Sequence, residues 1–302
     1  MKKFMYCALF VILIQGCKKT DDEATYSVDT TAESAQQVGD VTASVDESGG
    51  LASGSYTMNS EIESIKKTYA RLSGEELNDK TISQFIIPKA EAAACITTTF
   101  GGCTANKRIR EFGGCLIGTS GAINGNVTLT FAGPDAGACG MGNTGDSATR
   151  VPAFTITGLR GATFTVSAPT TGQVVTRGAG AASTFNNTGI RRTFTTPKGS
   201  TILDITTTTG SAISISGATR SVRQMSAGSL VVTNNLTSEV CTLTPNTVAW
   251  TGGCNCPTSG NFDGSCTGGK TFKVTFGGTC GTVTVDTNTE TGKIVTLDRC
   301  GT

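Results

Sequence analysis

Val127-Thr-Leu-Thr-Phe131 and Lys270-Thr-Phe-Lys-Val-Thr-Phe276 are the stretches whose reading decides the fold. In both, a large apolar residue alternates with Thr or Lys. Successive side chains leave a strand on opposite sides, so a period of two marks a strand with one buried face and one wet face. The alternation extends along the chain through Phe154 and Ile156, Phe164 and Val166, Ile213 and Ile215, Cys241 and Leu243, and Val283 and Val285. Gly, Pro and Asn stand between these segments, where turns need them. No long helical pattern separates them, which argues against a parallel sheet built from βαβ units. Composition agrees: Thr is abundant, Gly numbers 39, there is one Trp and there is no His. The expectation is a mainly β protein, an antiparallel meander forming a sandwich or a strongly curved sheet, with one or two short N-terminal helices.

Upstream the period changes. Residues 60–73 place Ile62, Ile65, Tyr69 and Leu72 at offsets of three and four, one face of a helix. Ser60 with Glu63 has the form of a capping box, and Gly74 suits the stop. A second short helix is expected around Glu75–Phe85, ended by Pro88, so residues 60–94 read as a short helical segment. Residues 17–59 contain almost no large apolar side chain and are expected to form a disordered acidic tether. Such a tether would have a root-mean-square reach of about 35 Å. Charge is uneven along the chain. Residues 18–63 hold ten Asp and Glu against Lys18 and Lys19, whereas residues 95–302 hold fifteen Lys and Arg against nine acids. The basic residues, such as Lys107, Arg160, Arg191, Arg192, Arg220 and Arg223, are scattered and not interleaved with aromatics. No nucleic-acid partner is expected. A weak attraction to anionic glycans or lipid headgroups remains compatible with this charge.

At the front, Lys2 and Lys3 precede an apolar run from Phe4 to Ile14, followed by Gln15, Gly16 and Cys17. This is the layout of a secretory signal over residues 1–16, and the run is too short to span a bilayer. Ile14 three before Cys17, with Gly16 just before it, resembles the lipobox of bacterial lipoproteins. Gln15 departs from the small residue usual in that motif. The resemblance covers residues 1–17 and implies that Cys17 carries acyl chains after cleavage, making the membrane a partner. Lys18 at the next position, where an Asp would retain the protein at the inner membrane, implies the bacterial outer membrane, facing periplasm or cell surface.

Beyond Cys7 and Cys17 the chain has ten cysteines in two even groups: Cys95, Cys103, Cys115 and Cys139, then Cys241, Cys254, Cys256, Cys266, Cys280 and Cys300. In an oxidising compartment these read as two and three disulfides, with three and fifteen connectivities open. The body, residues 95–302, is therefore expected to be a disulfide-rich all-β domain with a Cys-rich C-terminal part at 236–302. Cys254 and Cys256 lie close together, but a chain without His is a poor zinc binder, and no metal or cofactor is expected.

Several motifs match in letter and fail in context. Gly264-Ser-Cys-Thr-Gly-Gly-Lys270-Thr271 fits the P-loop pattern, but an alternating strand follows it instead of a helix. Gly140-Met-Gly142-Asn-Thr-Gly145 fits the dinucleotide fingerprint without a preceding apolar strand. Gly145-Asp146-Ser147 lacks the His that a serine protease needs. Ser64-Ile-Lys-Lys67 lacks the companion strand motif of penicillin-binding enzymes. Asp286, Asn288 and Glu290 begin like a calcium loop, but Thr291 and Leu297 stand where Gly and a bidentate acid belong. Asp204, Asp263, Asp286 and Asp298 are the body's candidate hydrolase acids, and they show no clustering with aromatic sugar platforms. Trp250 alternates with Val248 and is expected in the core. No catalytic residue is assigned. The expected role is non-enzymatic: a lipid-anchored binding, adhesion or structural module with an envelope glycan or protein partner. An exported carboxylate hydrolase and a carrier of lipid or another apolar ligand are the alternatives.

Overall fold

The computed structural model describes residues 26, 28–53, 59–74, 102–117, 121–158 and 160–300. Two α-helices come first, α1 (Thr30–Ser53) and α2 (Asn59–Ser73). The strands follow: β1 (Lys107–Ile117), β2 (Gly121–Ala132), β3 (Ser147–Gly158), β4 (Thr163–Ser167), β5 (Gln173–Arg177), β6 (Ser183–Asn187), β7 (Ile190–Thr195), β8 (Thr201–Ser216), β9 (Gln224–Asn234), β10 (Glu239–Ala249), β11 (Ser259–Cys266), β12 (Lys270–Phe276), β13 (Thr282–Thr287) and β14 (Lys293–Thr296). Residues 1–16, Cys17 and the second helix expected at Glu75–Phe85 lie outside the described residues.

All fourteen strands belong to one antiparallel sheet. Strand β3 pairs β4 over residues 153–157 and β5 over residues 147–150, so β4 and β5 are two halves of one interrupted return strand. Strand β8 pairs β7 and β6 in the same divided way. With those pairs joined, the sheet is a simple meander in which each strand lies beside its sequence neighbour. The interruption follows local chemistry. Ala168-Pro-Thr-Thr-Gly172 carries a Pro, which cannot donate to a ladder, and Thr188-Gly189 crosses opposite it.

The alternation read from the sequence is the burial pattern observed. Val127, Leu129 and Phe131 of β2, Phe164 and Val166 of β4, and Phe272, Val274 and Phe276 of β12 are buried, while the Thr between them meet solvent. Outward Thr residues pair across strands, with Thr155 and Thr165 hydroxyls 3.0 Å apart and Thr195 and Thr201 hydroxyls 3.3 Å apart. Such cross-strand pairs of β-branched residues stabilise a wet sheet face by about 0.2–1 kcal/mol each. Trp250 is buried, and its indole N–H donates to the Asn255 carbonyl at 3.3 Å.

Helix α2 matches the expected 60–73 segment, with Tyr69 and Leu72 buried. Helix α1 is the correction. Residues 30–53 were expected within the disordered tether of residues 17–59 and instead form a helix of 24 residues. Every residue from Ala35 to Asp46 is buried, more than three turns without a solvent face. The expectation failed because it counted large apolar residues. This helix is buried through small ones, Ala35, Val38, Gly39, Val41, Ala43 and Val45, and through polar groups that find partners in the sheet. Its length, about 36 Å, matches a strand of eleven residues. It starts beside β14, where Lys293 meets Asp29 at 2.7 Å, and passes the β8–β9 connection, where Arg220 meets Asp46 at 2.6 Å.

Gly39 marks the closest approach of helix and sheet side. A Cβ there would stand 3.1 Å from both methyl carbons of the buried Leu297. Gly39→Leu should therefore overpack this contact and destabilise the protein by about 2 kcal/mol, read as a lower urea midpoint with an unchanged slope.

Candidate functional site

Three features bear on function: the charged seat of α1, a polar cavity beside α2, and a disulfide-stapled end. The seat follows from the charge asymmetry of the sequence. The acids of α1 point into the basic body. Glu33 is held by Arg71 of α2, Asp40 by Arg192 of β7, Asp46 by Arg223 and Arg220, and Glu47 by Arg299. Arg299 also donates to Ser44 Oγ at 2.9 Å and to the Asp40 carbonyl at 3.3 Å. Neutral bonds complete the seat. Gln36 Nε2 donates to the Thr296 carbonyl at 2.7 Å and its Oε1 accepts from the Asp298 N–H at 2.9 Å, while Thr207 donates to Gln37 at 3.1 Å.

The electrostatics mix burial with pairing. Burial pushes the Glu33 carboxyl up, against the pull of Arg71. Burial opposes the charge on Arg71, yet Glu33 and Asp298 outweigh it and raise that group. Arg192 is driven the other way, down to about 9, by burial and by Arg299. Asp298 ties the two helices to the C-terminal segment, accepting from Thr68 at 2.9 Å and from Arg71 at 2.8 Å.

Beside this seat lies a cavity of about 20 Å³, lined by Ser64 and Thr68 of α2, by Arg150, Gln173 and Arg192 of the sheet, and by Arg299, over an apolar floor that includes Phe154 and Phe164. Ser64, the letter match to a penicillin-binding nucleophile, therefore lines a buried polar cavity between helix and sheet. Sequence reasoning missed this grouping, because its members come from α2, β3, β5, β7 and the C-terminal segment.

Eight of the ten body cysteines form four disulfides: Cys103–Cys139, Cys241–Cys266, Cys254–Cys280 and Cys256–Cys300. The second group thus closes three bridges, as counted from the sequence. Cys241 and Cys266 face each other directly across β10 and β11. The other three bridges join segments at one end of the meander, where the β2–β3, β10–β11 and β12–β13 connections lie. Cys95 is outside the described residues, and the side chain of Cys115 in β1 is as well.

The remaining sequence candidates resolve individually. The P-loop match is the β11–β12 turn, where Gly268 and Gly269 take positive φ of 81° and 75° and Lys270 pairs with Glu239 at 2.5 Å. Gly140–Gly145 is a loop organised by buried Asp146, whose oxygens accept from the Asp135 N–H at 2.9 Å and the Asn143 N–H at 2.6 Å. Asp286 to Glu290 form the β13–β14 hairpin tip, with the Gly292 N–H donating to Asp286 at 2.7 Å. Asp263 and Asp286 stand on either side of Lys273 across three adjacent strands, with Lys273 3.2 Å from Asp263. Asp204 is held by Arg191 at 2.6 Å, which keeps its carboxyl below the usual range. The four candidate acids are thus divided among separate ion pairs and turns.

Comparison with protein-family models, with curated proteins and with solved structures finds no match.

Two outcomes follow from this geometry. Asp46→Ala strands Arg223, which is 5% exposed, without its anion. It should cost about 3 kcal/mol in chemical denaturation. With Cys103 bonded to Cys139, peptide mapping without reduction should recover Cys95 linked to Cys115, the remaining pair of the first group.

Proposed function

We propose that this is a lipid-anchored envelope protein whose single, strongly curved sheet wraps α1 and presents its stapled loop end away from the membrane to a glycan or protein partner. The anchor is Cys17, on the lipobox resemblance, and Lys18 favours the outer membrane. The observation that carries the reading is the polarity of the molecule. Helix α1 begins at the end where β14 starts and the β3–β4 and β7–β8 turns lie, with Tyr26 against Phe194 at 5.9 Å between ring centroids. Three of the four disulfides gather at the opposite end. Tyr26 lies nine positions after Cys17, a reach of at most about 32 Å. The body is then held close to the bilayer, with its loop-bearing end outward, and loops on a rigid scaffold are where recognition groups concentrate.

Curvature is supported by the partners of α1, which come from β7, β8, β14 and the β8–β9 connection. A sheet that meets one straight helix from so many of its strands has to bend around it. The helix fills the space that a carrier would keep for an apolar ligand. The outward end offers Val222, 59% exposed in the β8–β9 connection, whereas Leu236, 49% exposed, belongs to the opposite end.

Metabolic labelling with a fatty acid should mark the protein and lose the mark in Cys17→Ser. The mature chain carrying Cys17→Ser should bind whole cells or envelope glycans. Val222→Glu should weaken that binding about tenfold, as loss of one well-buried anchor does, and Leu236→Glu should not. Label that persists in Cys17→Ser would remove the anchor, and the opposite ranking of the two variants would reverse the orientation.

A further inference from the structure

We infer that the buried cavity between α2 and strands β3, β4, β5 and β7 is a binding site for one small monoanion, a halide or the head of a small carboxylate. The inference does not depend on the lipid anchor. It starts from the donor inventory. The cavity, of about 20 Å³, has room for one occupant near the size of a water molecule. Three arginines line it, Arg150, Arg192 and Arg299. Arg299 is 4% exposed and its Nε–H has no acceptor among the described residues, and the Nε–H of Arg192 is buried in the same condition. The carboxylates of this region meet other nitrogens: Asp40 contacts Nη1 of Arg192 and Glu47 contacts Nη2 of Arg299.

The neutral lining groups turn donors the same way. Gln173 is buried, and its Oε1 accepts from Arg150 Nη1 at 3.1 Å, which leaves its amide hydrogens to give. The Thr68 hydroxyl is the exception, since its hydrogen is committed to Asp298 and only its lone pairs remain. A buried N–H without an acceptor is costly, so such a place is normally filled. Water fills a site where it can both accept and donate. Around this cavity the polar side chains present chiefly donors, and an anion only accepts. Burial, and after it Arg299, oppose the charge on Arg192, which Glu33 and Asp298 favour. A bound anion would relieve that repulsion and supply the missing acceptor. The apolar floor excludes competing water and strengthens each charge-assisted bond.

The test uses the mature chain with Cys17→Ser at fixed ionic strength. Thermal unfolding is followed as sodium gluconate is replaced by sodium chloride, or in a parallel arm by sodium acetate. A saturable rise in melting temperature of about 2–5 °C is expected in one arm, and the arm that responds assigns halide or carboxylate. Gln173→Leu, which removes a cavity donor, should abolish the response. Crystals grown in bromide should show an anomalous peak within hydrogen-bond distance of the Nε atoms of Arg192 and Arg299 if the occupant is a halide. Acetate density at the same place would support the carboxylate form. Identical melting in all three salts, or density there that refines as water in every salt, overturns the inference.

Discussion

The structure depends on the ion pairs between the acids of α1 and arginines drawn from the rest of the chain. Glu33, Asp40, Asp46 and Glu47 lie on the helix, and Arg71, Arg192, Arg223 with Arg220, and Arg299 receive them. Buried pairs of this kind add little net stability, because desolvation offsets most of the Coulomb gain. Their effect is on register. A helix surfaced by Ala, Val, Gly, Ser and Thr could slide or rotate inside an apolar sheet at small cost. One turn of slippage would leave several buried charges unmatched, each a penalty of a few kcal/mol. The pairs therefore fix the register of the helix, and the small side chains let the residues that pack on it come close.

The disulfides complement this arrangement. The helix ties strands together from within, through side chains that reach β7, β8 and β14. Three disulfides tie the connections at one end from outside, and one bridges the β10–β11 ladder at the end far from its turn. Cys256–Cys300 joins these two systems. Its Cys256 sulfur lies 3.8 Å from the Thr42 hydroxyl of α1, and Cys300 follows Arg299, which clamps the same helix. A bridge closing a loop of this size restricts the unfolded chain by about 4 kcal/mol in the entropic account. Here it also fixes the segment that carries one of the four arginine clamps.

Much of the sheet was legible in the sequence because its physics is local. Val127, Leu129 and Phe131, or Phe272, Val274 and Phe276, announce a strand by alternation alone, and Ile62, Ile65, Tyr69 and Leu72 announce α2 by offsets of three and four. The division of the β4–β5 and β6–β7 lines was not legible, although Pro169 marks the place. Helix α1 was not legible because its apolar stripe, Ala35, Val38, Val41 and Val45, is made of small residues with no large side chain among them. Its residues are those of a solvated segment, and only partners far along the chain make burial favourable. The signal was present in another form, as ten acids before residue 64 facing an excess of arginine after residue 95. That charge asymmetry is complementarity between α1 and the body. The cavity was hidden for the same reason, since no two of its arginines are neighbours in sequence.

That separation also constrains how the molecule can form. Gln36 bonds to Thr296 across 260 residues, and Arg299 reaches Ser44 and Glu47 across 255 and 252. The meander itself is built from neighbouring hairpins, which close small loops and need little entropy to nucleate. The seat of α1 is the opposite case, because its last clamp comes from the final residues of the chain. Helix α1 contains Gly, Val, Thr and Ser where a stable isolated helix would carry Ala, Leu, Glu or Lys, so it gains little by forming early. Arg299 and Cys300 can close this seat only once the chain through residue 300 is available. A chain made from its N-terminus must therefore hold an acidic, weakly helical segment in solution until its cationic seat exists. The polar composition that makes α1 look like a tether also keeps it soluble during that wait.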